Sequence, residues 1–68
     1  MTNREIRDFL KLVKRSPGDS DGWKECGNML WTFAKKMPEE LMDREAATVG
    51  GRVRITPMGD AVCRYSGS

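Results

Sequence analysis

Apolar residues among the first fifteen positions recur at intervals of three or four, which is the spacing of one helix face. The recurring residues are Ile6, Phe9, Leu10 and Val13. Thr2, followed three positions later by Glu5, has the form of a capping box that starts a helix. The pattern predicts a first helix from about residue 3 to residue 15, with its apolar face against a core.

Helical spacing returns over residues 23–37, and Pro38 ends it because proline disfavours helix in the residue before it. Residues 16–22, rich in Ser, Gly and Asp, form the preceding loop. Trp31 lies about 100° of rotation away from its stripe neighbour Leu30, so it either packs under another element or anchors an interface. The apolar stripe of this predicted second helix consists of Trp23, Cys26, Leu30, Phe33, Ala34 and Met37.

Residues 52–56 alternate between apolar and polar side chains, as a strand with one buried face does. Val53 and Ile55 point to one face, and two arginines and a threonine point to the other. Gly50 and Gly51 come just before and accept the positive φ angles of a two-residue hairpin turn. The pattern therefore predicts the second strand of a β-hairpin.

The segment before this turn, residues 39–45, allows two interpretations. Pro38 followed by two glutamates suits the first turn of a short helix. Leu41 to Glu45 could instead form the first strand of the hairpin. We expect a helical turn that opens into a short strand before Gly50.

After the hairpin, the chain is predicted to pass directly into a helix. Thr56 is a favourable N-cap, and Pro57 suits the first helical position because its missing N–H needs no partner there. The apolar face of this helix consists of Met58, Ala61, Val62 and Tyr65.

The run from Arg52 to Val62, and within it Ile55-Thr56-Pro57-Met58-Gly59, resembles the end of the wing in many bacterial winged-helix proteins. There the second wing strand closes on a Leu-Thr-Pro-x-Gly-like motif and enters a helix. The resemblance implies an α+β, winged-helix-like fold. The length of the chain predicts one domain, residues 1–68, and the composition of residues 66–68 predicts a frayed tail. The winged-helix-like fold would have two to three helices, a short β-hairpin wing and a short C-terminal helix, although the family usually has three helices before the wing.

Length and composition fit a small non-membrane domain. The 68 residues are 38% hydrophobic and 32% charged, with no apolar run of membrane-spanning length. The charged start of the chain does not match a secretory signal, so the cytoplasm is the expected location, with Cys26 and Cys63 as reduced thiols. A core this small gives a narrow stability margin, which a homodimer or a bound partner would supplement.

The chain lacks most of the side chains that catalysis uses. It has no histidine, and two distant cysteines do not make a zinc site. No glycine-rich phosphate loop with its lysine is present. We therefore expect no catalytic residue, no metal, no cofactor and no enzymatic activity.

DNA binding in transcription regulation is the function that the resemblance implies. The net charge of +2 is unevenly spread, with basic ends and an acidic middle. The predicted second helix would then enter the major groove, while arginines of the wing hold the backbone or the minor groove. The candidate nucleic-acid contacts are Lys24, Asn28, Thr32, Lys35, Arg52 and Arg54.

The alternative is a protein-binding adaptor or inhibitor, of the kind that mobile elements encode. It would target a larger nucleoprotein or regulatory complex, offering an acidic surface to basic sites that normally hold nucleic acid. The candidate contacts for this alternative are Trp31, Glu39, Glu40 and Asp43.

Overall fold

Residues 2–65 are described by the structure, a computed structural model, and the predicted tail at 66–68 lies outside them. The described part of the chain forms three helices and three strands. In chain order these are α1 (Asn3–Arg15), β1 (Lys24–Cys26), α2 (Asn28–Ala34), β2 (Met42–Ala46), β3 (Gly51–Ile55) and α3 (Pro57–Tyr65).

The first helix, α1, is confirmed with its predicted bounds and its capping box. The Thr2 hydroxyl accepts a hydrogen bond from the Glu5 amide at 3.2 Å, and the Thr2 amide donates to the Glu5 carboxylate at 3.0 Å. The bond from the Thr2 amide holds the pKa of the Glu5 carboxyl below its ordinary value. Three of the four residues of the predicted apolar face are buried, with Leu10 fully enclosed, and Ile6 is half-buried against them.

The prediction of one continuous helix over residues 23–37 was wrong. The Asp19 carboxylate accepts hydrogen bonds from the amides of Asp21 and Trp23, both at 2.9 Å, and this turn passes through Gly22 at φ +86°. The chain leaves that turn extended and forms β1, because a positive φ cannot begin a right-handed helix. Helix α2 starts only after Gly27 and is seven residues long.

The three strands form one antiparallel sheet in the order β1-β3-β2. A turn at residues 39–41 leads into β2, and β2 pairs with β3, which confirms the expected hairpin. Its loop is longer than the predicted two-residue turn. Ala46 and Gly51 are the last paired residues, and four residues lie between them. Gly50 supplies the positive φ, at +68°.

The predicted cap of α3 is confirmed. The Thr56 hydroxyl accepts the Gly59 amide at 3.0 Å, and the same hydroxyl donates to the carbonyl of Glu40 in the turn before β2. The Thr56 amide donates to the carbonyl of Leu41 at 3.2 Å. The cap therefore fixes the start of α3 against the start of β2.

All three helices pack on one face of the sheet, and the other face is polar and open to solvent. The result is a two-layer α+β domain, winged-helix-like in having a β-hairpin wing that passes into a C-terminal helix. No helix within residues 2–65 has the length and apolar character needed to cross a bilayer. The buried core consists of Phe9, Leu10, Val13, Cys26, Ala34, Met37, Met42, Val53 and Cys63.

Candidate functional site

The two wing arginines lie side by side on the open face of the sheet, each opposite an acid of β2. Arg52 pairs with Glu45 at 2.6 Å, and Arg54 pairs with Asp43 at 3.0 Å. Both guanidinium groups also lie over the Trp23 ring, 5.1 and 4.7 Å from its centroid. The structure thus brings the two predicted contacts together, but in a charge-balanced ladder that attracts phosphate weakly.

Lys24 does not share a helix with the other predicted contacts, because it lies on β1. Its register partner is Val53, so it projects from the helix-covered side of the sheet at the edge. Its ammonium donates to the carbonyl of Lys14 at 3.2 Å. Lys24 therefore stabilises the C-terminal end of α1, where a positive charge complements the helix dipole.

The remaining predicted contacts do lie on α2 or at its end. The Asn28 side chain accepts the Gly50 amide at 3.0 Å and so holds the hairpin loop to the start of α2. The Thr32 hydroxyl donates to the Asn28 carbonyl at 3.0 Å. Lys35, the C-cap residue, is exposed. Two of these three side chains are thus engaged within the fold, and the surface of α2 carries little charge.

The residues of the protein-binding alternative are distributed along the hairpin. Trp31 is half-buried, and its ring packs directly over the backbone of Gly51 at the loop end of β3. Glu39 and Glu40 are exposed in the turn at the opposite end of the sheet. Asp43 is already paired with an arginine. The structure does not bring these four residues into one surface.

A different cluster of charge lies on α1, on the side turned away from the core. At 100° per residue, five cations fall within a sector of about 100° that is centred about 150° from the buried face. We call them the basic stripe. Only Lys14 forms an ion pair within residues 2–65; the other four do not. The basic stripe consists of Arg4, Arg7, Lys11, Lys14 and Arg15.

Helix α3 adjoins one side of the basic stripe. Arg7 lines a shallow groove with Met58, Val62 and other residues of α3. Asp60 accepts hydrogen bonds from Lys14 at 2.8 Å and from Arg64 at 2.7 Å. These contacts, the bond from Lys14 above all, hold the pKa of the Asp60 carboxyl below its ordinary value of 3.8.

The sequence contained the signal for the basic stripe. Its residues recur at intervals of three, four and seven within the first predicted helix, so they share a face as surely as the apolar residues do. The excess of positive charge at the start of the chain was recognised, but its concentration on one helix face was missed.

Nothing in residues 2–65 groups three or more potential metal ligands. Cys26 and Cys63 are both buried, and burial raises the pKa of the Cys26 thiol, which disfavours the reactive thiolate. Comparison of the chain with protein-family models, curated proteins and solved structures finds no match.

Proposed function

We propose that this protein is a small, non-enzymatic DNA-binding domain of the regulatory type, and that the basic stripe of α1 holds the phosphate backbone. The observation that carries the proposal is that four of the five cations of the stripe form no ion pair within residues 2–65. Such cations can exchange their counterions for phosphates, which is the main source of affinity in sequence-independent binding.

The dimensions of the stripe suit a nucleic-acid backbone. From Arg4 to Arg15 it extends about 16 Å at a rise of 1.5 Å per residue. That length covers roughly five phosphates of one strand, which are spaced 3.4 Å apart along the DNA axis. Phe9, Leu10 and Val13 of α1 are buried in the core, and Leu12 alone is too little exposed apolar surface for the helix to insert into a lipid surface.

The predicted contacts have a smaller part in this proposal. Arg52 and Arg54 must leave their carboxylate partners before they can hold phosphates, and α2 is too short and too weakly charged to read a groove alone. We place the adaptor or inhibitor function second, because its acidic and aromatic residues lie at opposite ends of the hairpin.

The test is a titration of a fluorescently labelled, mixed-sequence DNA duplex followed by anisotropy at several salt concentrations. Wild-type protein should bind at low salt with a dissociation constant of about 10⁻⁴ to 10⁻⁶ M, weakening steeply as salt rises. The plot of log K against log salt has a negative slope. In the double variant Arg7→Ala/Lys11→Ala this slope should become shallower by about 1.8, since each lost phosphate contact contributes about 0.9.

The matched control is Arg52→Ala/Arg54→Ala. It removes the same number of positive charges, but from the open face of the sheet. It should change the slope much less, because those charges are already paired. Circular dichroism spectra of both variants should match that of the wild type, as the check that the fold is kept. Absence of binding at low salt would refute the function, and an equal loss in both variants would refute the role of the basic stripe.

A further inference from the structure

An apolar groove runs between α1 and α2 on the flank of α1 next to the basic stripe. It is an open groove of about 270 Å³ with an apolar floor and an acidic edge formed by Glu5 and Asp8. The apolar lining residues are Phe9, Leu12, Leu30 and Phe33. Leu12 is 49% exposed and Phe33 is 41% exposed, so the fold covers only part of each side chain. Two adjacent apolar side chains left open in this way offer a surface that a partner could cover.

The charges beside this groove are arranged so that the flank of α1 complements a reversed copy of itself. Asp8 lies one helical turn before Leu12, and Arg15 lies one turn after it, on nearly the same side of the helix. In an antiparallel pair of α1 helices that cross at Leu12, Asp8 faces the partner subunit's Arg15, and Arg15 faces the partner subunit's Asp8. A parallel pair would instead place like charges together.

We propose that a second copy of this chain covers the groove, forming a two-fold symmetric dimer through antiparallel α1 helices. Each copy contributes Leu12 and Phe33 to a shared apolar centre, with one Asp8–Arg15 contact on either side. A two-fold interface requires this kind of self-complementary surface.

The dimer places both basic stripes on one side of the assembly. Leu12 lies about 100° around the helix from the centre of the stripe. Leu12 points to the partner helix, so the stripe points roughly perpendicular to the plane of the two helices. The two-fold axis is also perpendicular to this plane, and a rotation about it leaves that direction unchanged. The two stripes therefore face the same way, with Arg15 of each stripe engaged in the dimer contact and the other four cations directed outward. The dimer itself does not depend on DNA binding.

The interface is small, so the association is weak. A standard interface buries about 800 Å² on each partner, which would be a sixth of the 4774 Å² surface of the described residues. The groove and its two charged edges provide less than that, so we expect an equilibrium between monomer and dimer at micromolar protein concentrations.

Sedimentation velocity of the full chain over a range of concentrations tests the proposal. Wild-type protein should shift towards the mass of a dimer as its concentration rises. The single variants Asp8→Arg and Arg15→Asp should each remain monomeric, because each places like charges across the interface. An equimolar mixture of these two variants should recover the dimer, since each then meets its opposite charge. That recovery also shows that both variants are folded.

A second pair of variants tests the apolar centre. Leu12→Glu should abolish the dimer, whereas Met58→Glu, a change at a similarly exposed apolar residue on α3, should leave it intact. A wild-type protein that stays monomeric at every concentration would overturn the proposal, leaving the groove to a different partner. A dimer that survives Leu12→Glu, or a mixture of charge variants that stays monomeric, would overturn it as well.

Discussion

At the scale of single residues, Gly59 shows why the hairpin and α3 meet so closely. A Cβ atom at this position would collide with the carbonyl oxygen of Leu41 and would lie 3.0 Å from a methyl carbon of Ile55. The helix therefore contacts the backbone of the turn before β2 with no side chain between them. With the Thr56 cap and Pro57 at the first helical position, the three defined residues of the Thr-Pro-x-Gly run each have a physical role at this junction.

The variant Gly59→Ala separates that packing role from helix propensity. In an exposed helix interior, the change from glycine to alanine would stabilise the fold by about 1 kcal/mol. Here overpacking against rigid backbone should reverse the sign and lower the free energy of unfolding by about 2 kcal/mol. Urea unfolding followed by circular dichroism measures the difference.

The matched control for this prediction is Gly27→Ala. Nothing lies within 4 Å of a Cβ placed at Gly27, and its φ of −71° suits any residue. Alanine is a poorer N-cap than glycine, so the control should lose at most about 1 kcal/mol. A gain in stability for Gly59→Ala would contradict the close approach of helix and turn.

At the scale of elements, two cations on the covered face of the sheet hold the C-terminal ends of two helices. Lys24 and Arg44 lie on either side of Val53, one on β1 and one on β2. Arg44 donates from one nitrogen to the carbonyls of Ala34 and Met37, both at 2.7 Å, just as Lys24 reaches the end of α1. Helix ends have carbonyls without intrahelical partners, and each cation complements the dipole there. The bond from Arg44 to the Ala34 carbonyl adds to the one that this carbonyl accepts from the Met37 amide at 3.1 Å.

We expect Arg44→Met to lower the free energy of unfolding by about 2 kcal/mol, because two charge-assisted bonds to half-buried carbonyls are lost while the aliphatic bulk is kept. Urea unfolding is again the measurement. Arg52→Met is the control on the open face of the same sheet, where an exposed ion pair contributes less than about 1 kcal/mol. Equal losses of unfolding free energy in the two variants would show that the bonds from Arg44 to the two carbonyls add no more stability than an exposed ion pair does.

The same scale explains which elements were predictable. The capping box of α1, the alternation in β3 and the Thr-Pro start of α3 are local signals, and the structure confirms all three. Strand β1 has only three residues, too few for a period to be recognised, and its partner β3 is distant in the sequence. Its formation depends on tertiary pairing, so apolar spacing alone favoured a longer helix.

The candidate site was predictable to a similar extent. That Arg52 and Arg54 are paired with Glu45 and Asp43 depends on strand register, which the sequence left open because residues 39–45 had two interpretations. Predicting the basic stripe required only the correct bounds of α1, and the capping box and apolar spacing of residues 3–15 provide those bounds.

At the scale of the whole molecule, Asp60 joins the first helix to the last. It binds Lys14 in the last turn of α1 and Arg64 in the last turn of α3, so one carboxylate ties the two helices together. Its pKa is depressed in the folded protein, chiefly by the bond from Lys14. A depressed carboxyl pKa means that the ionised group favours folding at pH values above its unfolded pKa.

The contribution of Asp60 to stability should therefore be fully present above its ordinary pKa of 3.8 and should be lost as the pH falls through the lower folded value. Comparing the urea midpoints of wild type and Asp60→Asn across this range measures the contribution. The difference in urea midpoint between the two proteins, called the gap below, should narrow as the pH is lowered. In a Lys14→Met background the gap should be smaller at neutral pH and should depend less on pH. A gap that stays constant with pH would mean that Asp60 holds α1 and α3 together through packing and not through its charge.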